Sequence, residues 1–394
     1  MSDKQFSSSI STADFFVNPD IKKAETLPAT AFTDLGFLSL ELDTIFRQTW
    51  LLAPISDVGI LGEAGAHLPF SLLGKPLFLQ HDLNGRLHCF PNVCTHAWHP
   101  LVREPGVAKM IVCPQHRRQF GCDGEFISQS GFRNVENFPR ESDSLQDLPV
   151  ERWGQLVFVG LRSLIAPLHD FLKETEESVS RMTVEKFRRT PHRLETREVE
   201  GNWKQHAWNY MDNFHIRFIH GGPSGLADIV DLGSYRTELY RFSSLQWAYS
   251  RNPEHGFDPS LLPDRFRDPQ KPEKRVFALW WFIFPNLALN FYPWGLSVNV
   301  YMPMPRRPDR TLFFWYHYVV DEEKYERRNE LWLGEQVDAE DIEAIGQVSR
   351  GAGSGYAPRG RFAPREEAGP HWFHRLVYEF VFERTGSEGT PFNA

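Results

Sequence analysis

The chain has 394 residues, 43 of them Lys or Arg against 51 Asp or Glu, giving a formal net charge of −8. That length exceeds one ordinary core and predicts two domains, while the acidic balance argues against nucleic acid as a partner. The four cysteines (Cys89, Cys94, Cys113 and Cys122) cluster in one stretch, so no disulfide framework spreads over the fold and a reducing cytoplasm is expected.

Met1 to Phe15 is polar and Ser-rich, without the basic start and apolar core of a secretory signal. Residues 1–35 read as an extended arm. Gly36 to Trp50 places Leu38, Leu42, Ile45 and Phe46 at helical spacing, which predicts an amphipathic helix. Residues 1–50 are therefore taken as an N-terminal arm and helix packing on the later, larger domain. Short β runs with turn signals follow: Pro76 to Leu79, a hairpin at Asp82-Leu-Asn84-Gly85, a turn at Asp123-Gly124, and Gln155 to Val159. Residues 51–162 are expected to form a small antiparallel β domain.

That small domain carries Cys94-Thr-His96 and Cys113-Pro-Gln-His116, two arms separated by sixteen residues. Each arm supplies one thiolate and one imidazole, the donor set of a Rieske [2Fe-2S] cluster, in which one iron takes two Cys and the other two His. Pro114 suits a tight ligand loop, because its ring fixes φ and removes an N–H. The competing reading is a structural zinc site, but zinc fingers pair Cys with Cys and His with His. No further Cys lies beside either arm to form the disulfide of respiratory-type Rieske proteins. Cys89 and Cys122 read as small buried residues, since the ligand set is complete without them.

Residues 163–394 mix helix and strand and predict an α+β domain. Gly201 to His220 reads as a helix stopped by Gly221-Gly222-Pro223. Residues 231–250 and 276–320 alternate apolar, β-branched and aromatic residues as strands, and 322–349 reads as a charged, amphipathic helix. Phe277 to Met304 is long enough to suggest a membrane span, but its Pro285, Asn286, Asn290, Pro293 and Asn299 favour buried strands. The Pro/Arg-rich stretch 263–275 reads as a surface loop.

Asp212, His215 and His220 form D-x2-H-x4-H. Two imidazoles and one carboxylate on one face of Fe(II), with positions left open, define a non-haem oxygenase site. On an ideal helix the two histidines would point about 140° apart, so the helix is expected to loosen near Ile219. Asp212 precedes the first His and is better placed behind it, which leaves the carboxylate to come from elsewhere. In the late helix, Val337, Asp341, Ile345 and Val348 share one face. An acid inside an apolar stripe costs several kcal/mol, roughly, unless a cation compensates it, which singles out Asp341. Gly351-Ala-Gly353-Ser-Gly355 follows a helix and lacks the third spaced glycine of a dinucleotide site, so it reads as a loop. Trp280, Trp281, Phe282, Phe284, Phe291, Tyr292 and Trp294 read either as core or as an aromatic box for a cation.

Taken together, ETLPATAFTDLGFLSLELDTIFRQTW, the NVCTH and CPQH arms, GNWKQHAWNYMDNFH, FIFPNLALNFYPWGLSVNVYMPM and EDIEAIGQVSRGAGSGYAPRGRF resemble the catalytic α-subunits of Rieske non-haem iron oxygenases. The resemblance is greatest to the choline, glycine betaine and carnitine monooxygenase group. It implies a Rieske domain plus a helix-grip catalytic domain, usually in a ring-shaped homotrimer. It implies that Cys94, His96, Cys113 and His116 hold the [2Fe-2S] cluster and that His215, His220 and Asp341 hold mononuclear iron. Asp212 then bridges the two centres between neighbouring subunits, where electrons cross to the iron. It further implies O2 as co-substrate, a small organic substrate and a separate flavin- or ferredoxin-type reductase drawing on NAD(P)H. The expected reaction is hydroxylation, with N-dealkylation where the attacked carbon adjoins nitrogen. The alternatives are an aromatic hydroxylase or dioxygenase, or a Rieske electron-transfer protein with an inactive second site. Three positions depart from the family pattern: Arg117-Arg118 replaces Gly-Trp, Trp208 replaces a common acid, and Gly221 replaces a common Pro.

Overall fold

The structure, a computed structural model, describes residues 12–55, 59–189, 195–222 and 225–383. Most of the polar start and Pro223 lie outside the described residues. The chain divides into two compact units, Arg47–Ile165 and the remainder. Among the described residues no helix is long and apolar enough to cross a membrane.

The sheets of the smaller unit are all antiparallel, with two short 3-10 turns at Gly59–Gly62 and Glu141–Asp143. A four-stranded sheet runs Leu87–Pro91, Lys75–His81, Ala66–Leu72 and Gly106–Val107, and two three-stranded sheets complete it. The hairpin at 82–85 forms as expected. Asp82 Oδ1 accepts the N–H groups of Asn84 and Arg86, both at 2.8 Å, and Gly85 takes φ 89°. Cys89 and Cys122 are buried and unbridged.

The larger unit is built on one antiparallel sheet. Glu195–Glu200 and Arg188–Arg189 both pair with Arg307–Val319, followed in order by Gly295–Met304, Leu287–Tyr292, Val276–Ile283, Ser243–Tyr249 and Arg236–Leu239. The stretch considered for a membrane span is three of these strands, and nearly every residue in it is buried. The helices Trp203–Met211, Gly334–Ala352 and Ala368–Tyr378 pack together and against the sheet, so the domain is α+β.

Several elements differ from expectation. The arm is not wholly extended: Thr12–Phe15 and Thr30–Thr33 are single helical turns. It is held down by guanidinium groups, Arg359 reaching the carbonyls of Asp14, Phe16 and Thr26, and Arg361 those of Lys22 and Ala24. The first long helix covers Leu35–Thr44 and stops short of Trp50. It buries Glu41 against Lys204 at 2.7 Å, both side chains fully enclosed. Removing one partner of such a pair costs about 3–5 kcal/mol, because the other charge stays buried. The 322–349 segment is three helices, Glu322–Glu326, Arg328–Leu331 and Gly334–Ala352, the first two divided at Arg327 and the last set off where Leu333 adopts φ 55°. Val348 is 56% exposed, so the apolar stripe on the last helix ends at Ile345.

Candidate metal centres

In the smaller unit the two arms fold alike. Cys94 N–H donates to the His99 carbonyl and Trp98 N–H to the Cys94 carbonyl, at 2.9 and 3.0 Å. Cys113 N–H donates to the Arg118 carbonyl and Arg117 N–H to the Cys113 carbonyl, at 2.8 and 3.0 Å. Trp98 and Arg117 occupy equivalent places, both with φ 61°. A residue in the left-handed region turns each loop back on itself within one hydrogen-bonded ring. Asn92 holds the first loop from behind, its Oδ1 accepting the N–H groups of Leu101 and Val102. The result brings all four expected residues together. The Cys94 and Cys113 thiols are buried in one cluster, and the His96 and His116 rings lie 4.8 Å apart nearer the surface. His96 Nδ1 is buried without a partner. Two thiols side by side and two imidazoles side by side fit the cluster, with one pair for each iron.

In the larger unit the helix expected over 201–220 is interrupted. Trp203–Met211 ends at Asp212, whose extended backbone (φ −85°, ψ 110°) leaves the helix, and Asp212 Oδ1 accepts the Phe214 N–H at 2.6 Å. This Asp turn breaks the helix without Gly or Pro. A second short helix, Ile216–Ile219, carries His215 at its start and His220 just past its end. The backbone is helical from His215 (φ −68°, ψ −23°) and opens only at His220 (φ −103°, ψ 21°), and the two ring centroids lie 5.1 Å apart. Gly221 is required here, since a Cβ would sit 2.1 Å from the Arg217 carbonyl oxygen.

Asp341 approaches from the helix Gly334–Ala352. Its close packing depends on Gly201, at φ 107°, where a Cβ would lie 2.6 Å from Ile345 Cγ2. Asp341 Oδ1 is 3.4 Å from His215 Nε2 and 3.1 Å from His220 Nε2, and one donor atom from each of the three residues lies within 4.8 Å of the others. Despite these distances, Asp341 Oδ1 and His220 Nε2 are buried atoms without a hydrogen bond. Converging, unpaired donors of this kind fit a divalent cation, and two His with one carboxylate fit non-haem iron. Burial alone would discharge His215, yet the carboxylates of Asp212 and Asp341 outweigh it and push the imidazole up to about 9. Burial would likewise raise Asp341, but the two imidazoles facing its carboxyl hold it well below the usual carboxylate range.

The outer nitrogens both face carboxylates, His220 Nδ1 in a hydrogen bond and His215 Nδ1 at ion-pair distance only. Asp212 Oδ2 lies 3.4 Å from His215 Nδ1, and Glu340 Oε2 lies 2.6 Å from His220 Nδ1. Carboxylates behind ligating imidazoles fix the tautomer that points Nε2 inward. Glu340 is not singled out by the sequence. Its only signal is its position beside an acid in an apolar stripe.

A pocket opens from these three residues onto the sheet. Gln246, Trp280, Asn290, Ser297 and His317 form one continuous cross-strand row along its floor. Of the seven aromatics expected as box or core, Trp280, Tyr292 and Trp294 line it. Trp281 and Phe291 point to the opposite face of the sheet, while Phe282 shares the Trp280 face and packs with Phe284 against Phe373; all four are fully buried. Tyr210, Tyr235, Tyr301, Trp315 and Trp332 also line it and were not foreseen. Asp338, one turn before Asp341, lines it as well, and among the described residues it has no hydrogen-bond or ion-pair partner. Burial, with the Asp341 charge added, pushes its carboxyl up to about 7.

Comparison with known proteins agrees with both centres. The Rieske [2Fe-2S] domain family matches residues 51–139, and the ring hydroxylating alpha subunit (catalytic domain) family matches residues 182–383. The carnitine monooxygenase oxygenase subunit of Acinetobacter pittii is 27% identical over 374 residues, covering 93% of this chain and 95% of the relative. The chloroplastic choline monooxygenase of Amaranthus tricolor is 29% identical over 362 residues, covering 90% and 77%. A solved structure of the quaternary ammonium Rieske monooxygenase CntA, 21% identical, shares the fold with a TM-score of 0.75 over 95% of this chain and 99% of that one. Naphthalene 1,2-dioxygenase from Rhodococcus sp., 17% identical, shares it with a TM-score of 0.69 over 92% and 95%. With its catalytic family spanning over half of its length, the chain belongs to the ring hydroxylating alpha subunits and is a Rieske-type oxygenase, whose cofactors are a [2Fe-2S] cluster and a mononuclear iron.

Proposed function

We propose that the chain is a terminal monooxygenase component acting on a quaternary ammonium or related N-methyl cation, with His215, His220 and Asp341 holding the iron. The observation that carries the substrate class is the pocket itself: aromatic faces around Asp338, whose carboxyl makes no hydrogen bond or salt bridge among the described residues and feels the Arg197 charge only from a distance. A trimethylammonium group cannot donate hydrogen bonds and is held by π faces and a nearby negative charge. Tyr235 and Trp280 lie nearly parallel at 5.8 Å, and Tyr292 and Trp294 at 5.4 Å, giving rigid walls. The curated relatives named for carnitine and choline support the same class.

Iron bound at the three residues supplies dioxygen activation for hydroxylating a C–H bond. The chain's own residues supply the rest. Glu340 and Asp212 hold the two imidazoles from behind, and the sheet row from Gln246 to His317 shapes the floor. The aromatic walls exclude water. We assign Asp212 as the link through which electrons pass from a cluster on a neighbouring copy, in a homotrimer. Its contact with His215 supports this, as does a CntA structure described in terms of inter-subunit electron transfer. A separate flavin- or ferredoxin-type reductase, drawing on NAD(P)H, delivers the electrons, since the carnitine relative is itself named as one subunit of a larger system. We place the protein in the cytoplasm, where cysteines without disulfides persist.

The test is formaldehyde or aldehyde release from a panel of N-methyl cations, run against hydroxylation of neutral aromatic rings with the same reductase. Turnover of the cations supports the assignment. Turnover of the aromatics alone replaces it with an aromatic hydroxylase.

A further inference from the structure

The second ligand loop closes on a buried cation. Arg118 is 2% exposed, and its guanidinium lies over three phenyl rings, those of Phe126, Phe132 and Phe138, at 5.2, 5.5 and 5.6 Å from their centroids. Nη1 donates to Thr95 Oγ1 at 2.8 Å and to Asp143 Oδ1 at 3.0 Å, and Nε donates to Gln129 Oε1 at 2.9 Å.

These partners lead to both arms. Thr95 stands between Cys94 and His96, and its hydroxyl donates to the Asp143 carbonyl at 2.7 Å. Gln129 Nε2 donates to the His116 carbonyl at 3.0 Å. Phe132, under the guanidinium, meets the His96 ring edge-on at 5.3 Å. One side chain therefore ties the first arm to the second.

Packing alone does not require a charge here. Three phenyl rings make a cage that an apolar side chain would fill without desolvating an ion, and exchanging buried ion pairs for apolar groups is often neutral or stabilising. Beside a redox centre a fixed charge has a second effect. A cluster that accepts an electron gains one negative charge, and a nearby cation favours that form. Net charge and hydrogen bonding around the cluster set its potential. A planar guanidinium can tie Thr95, Asp143 and Gln129 at once, which an ammonium cannot.

We propose that Arg118 is a positioning residue that locks the two ligand arms together and, through a positive charge partly offset by Asp143, raises the reduction potential of the cluster. The proposal rests on Cys94, His96, Cys113 and His116 being the cluster ligands. That assignment is tested separately by Cys113→Ser, which should give a colourless small unit.

The experiment is anaerobic spectroelectrochemistry on the full-length, cluster-loaded protein, with iron and sulfide content measured for each variant. Arg118→Leu should lower the midpoint potential by at least about tenfold in the reduction equilibrium, 59 mV for a one-electron couple. Asp143→Asn removes the offsetting charge and should raise it. Arg118→Lys keeps the charge and should fall between wild type and Arg118→Leu. Potentials that do not move, or that shift in the same direction for Arg118→Leu and Asp143→Asn, overturn the proposal. If Arg118→Leu fails to hold its cluster, Asp143→Asn decides alone: a raised potential supports it, and an unchanged or lowered one overturns it.

Discussion

The two candidate centres are assembled by opposite strategies. In the smaller unit, two loops repeat one backbone pattern, and each brings its Cys and His into place within a single hydrogen-bonded turn. In the larger unit the three residues come from a broken helix and a distant one, and His220 and its backing acid Glu340 are 120 residues apart in sequence. The loops carry their geometry in local chemistry. The dispersed site owes its geometry to packing, to Gly201 and Gly221, and to carboxylates placed behind each imidazole.

That contrast can be broken at the dispersed site without touching the loops. Asp341→Ala should remove the mononuclear iron and all turnover, leaving the visible spectrum of the cluster. Iron per chain would fall from about three to about two with sulfide unchanged at about two. Asp212→Asn, which keeps the oxygen that accepts the Phe214 N–H, should hold both metals when saturated with Fe(II) yet cut turnover by about a hundredfold if it links the centres, as read from single-turnover kinetics with a pre-reduced cluster. Normal turnover would remove the link. Glu340→Gln should weaken iron binding by about 10–100-fold, the usual cost of losing a carboxylate behind a ligating His. Titration of apo-protein with Fe(II) measures it. The smallest effect is expected at the pocket: Asp338→Asn should raise KM for a trimethylammonium substrate about tenfold, or about 1.4 kcal/mol. It should leave the uncharged tert-butyl analogue unaffected. Equal losses for both would mean that shape, not charge, is read there.

The same contrast explains what could be read in advance. The cluster arms were legible because Cys94, His96, Cys113 and His116 sit in two short spacings whose chemistry is local. Asp341 was legible as an acid in an apolar stripe, although the stripe is shorter than it looked, since Val348 faces solvent. The break at Asp212 was not, because Met-Asp-Asn-Phe carries neither Gly nor Pro and reads as continuous helix until the Asp side chain is seen capping Phe214. Nor were Tyr301 and Trp315 legible as pocket residues. Which face of a strand looks into a cavity follows from its register with neighbours, and here one row crossing five strands fixes it. Trp208 and Gly221 look like lapses from the family pattern until their surroundings are known. The indole packs edge-on to the His374 ring at 4.6 Å, and the glycine clears a carbonyl that any side chain would strike.

The clasp between the beginning and the late part of the chain bears on how the protein is made. Arg359 and Arg361 reach carbonyls 333 to 345 residues upstream. A ribosome must therefore deliver the chain past residue 361 before the early segment can be fastened. Until then, the surface that segment covers stays open to chaperones and proteases. Shortened products ending ahead of residue 359 should accumulate as degradation targets, even when their sheet is complete.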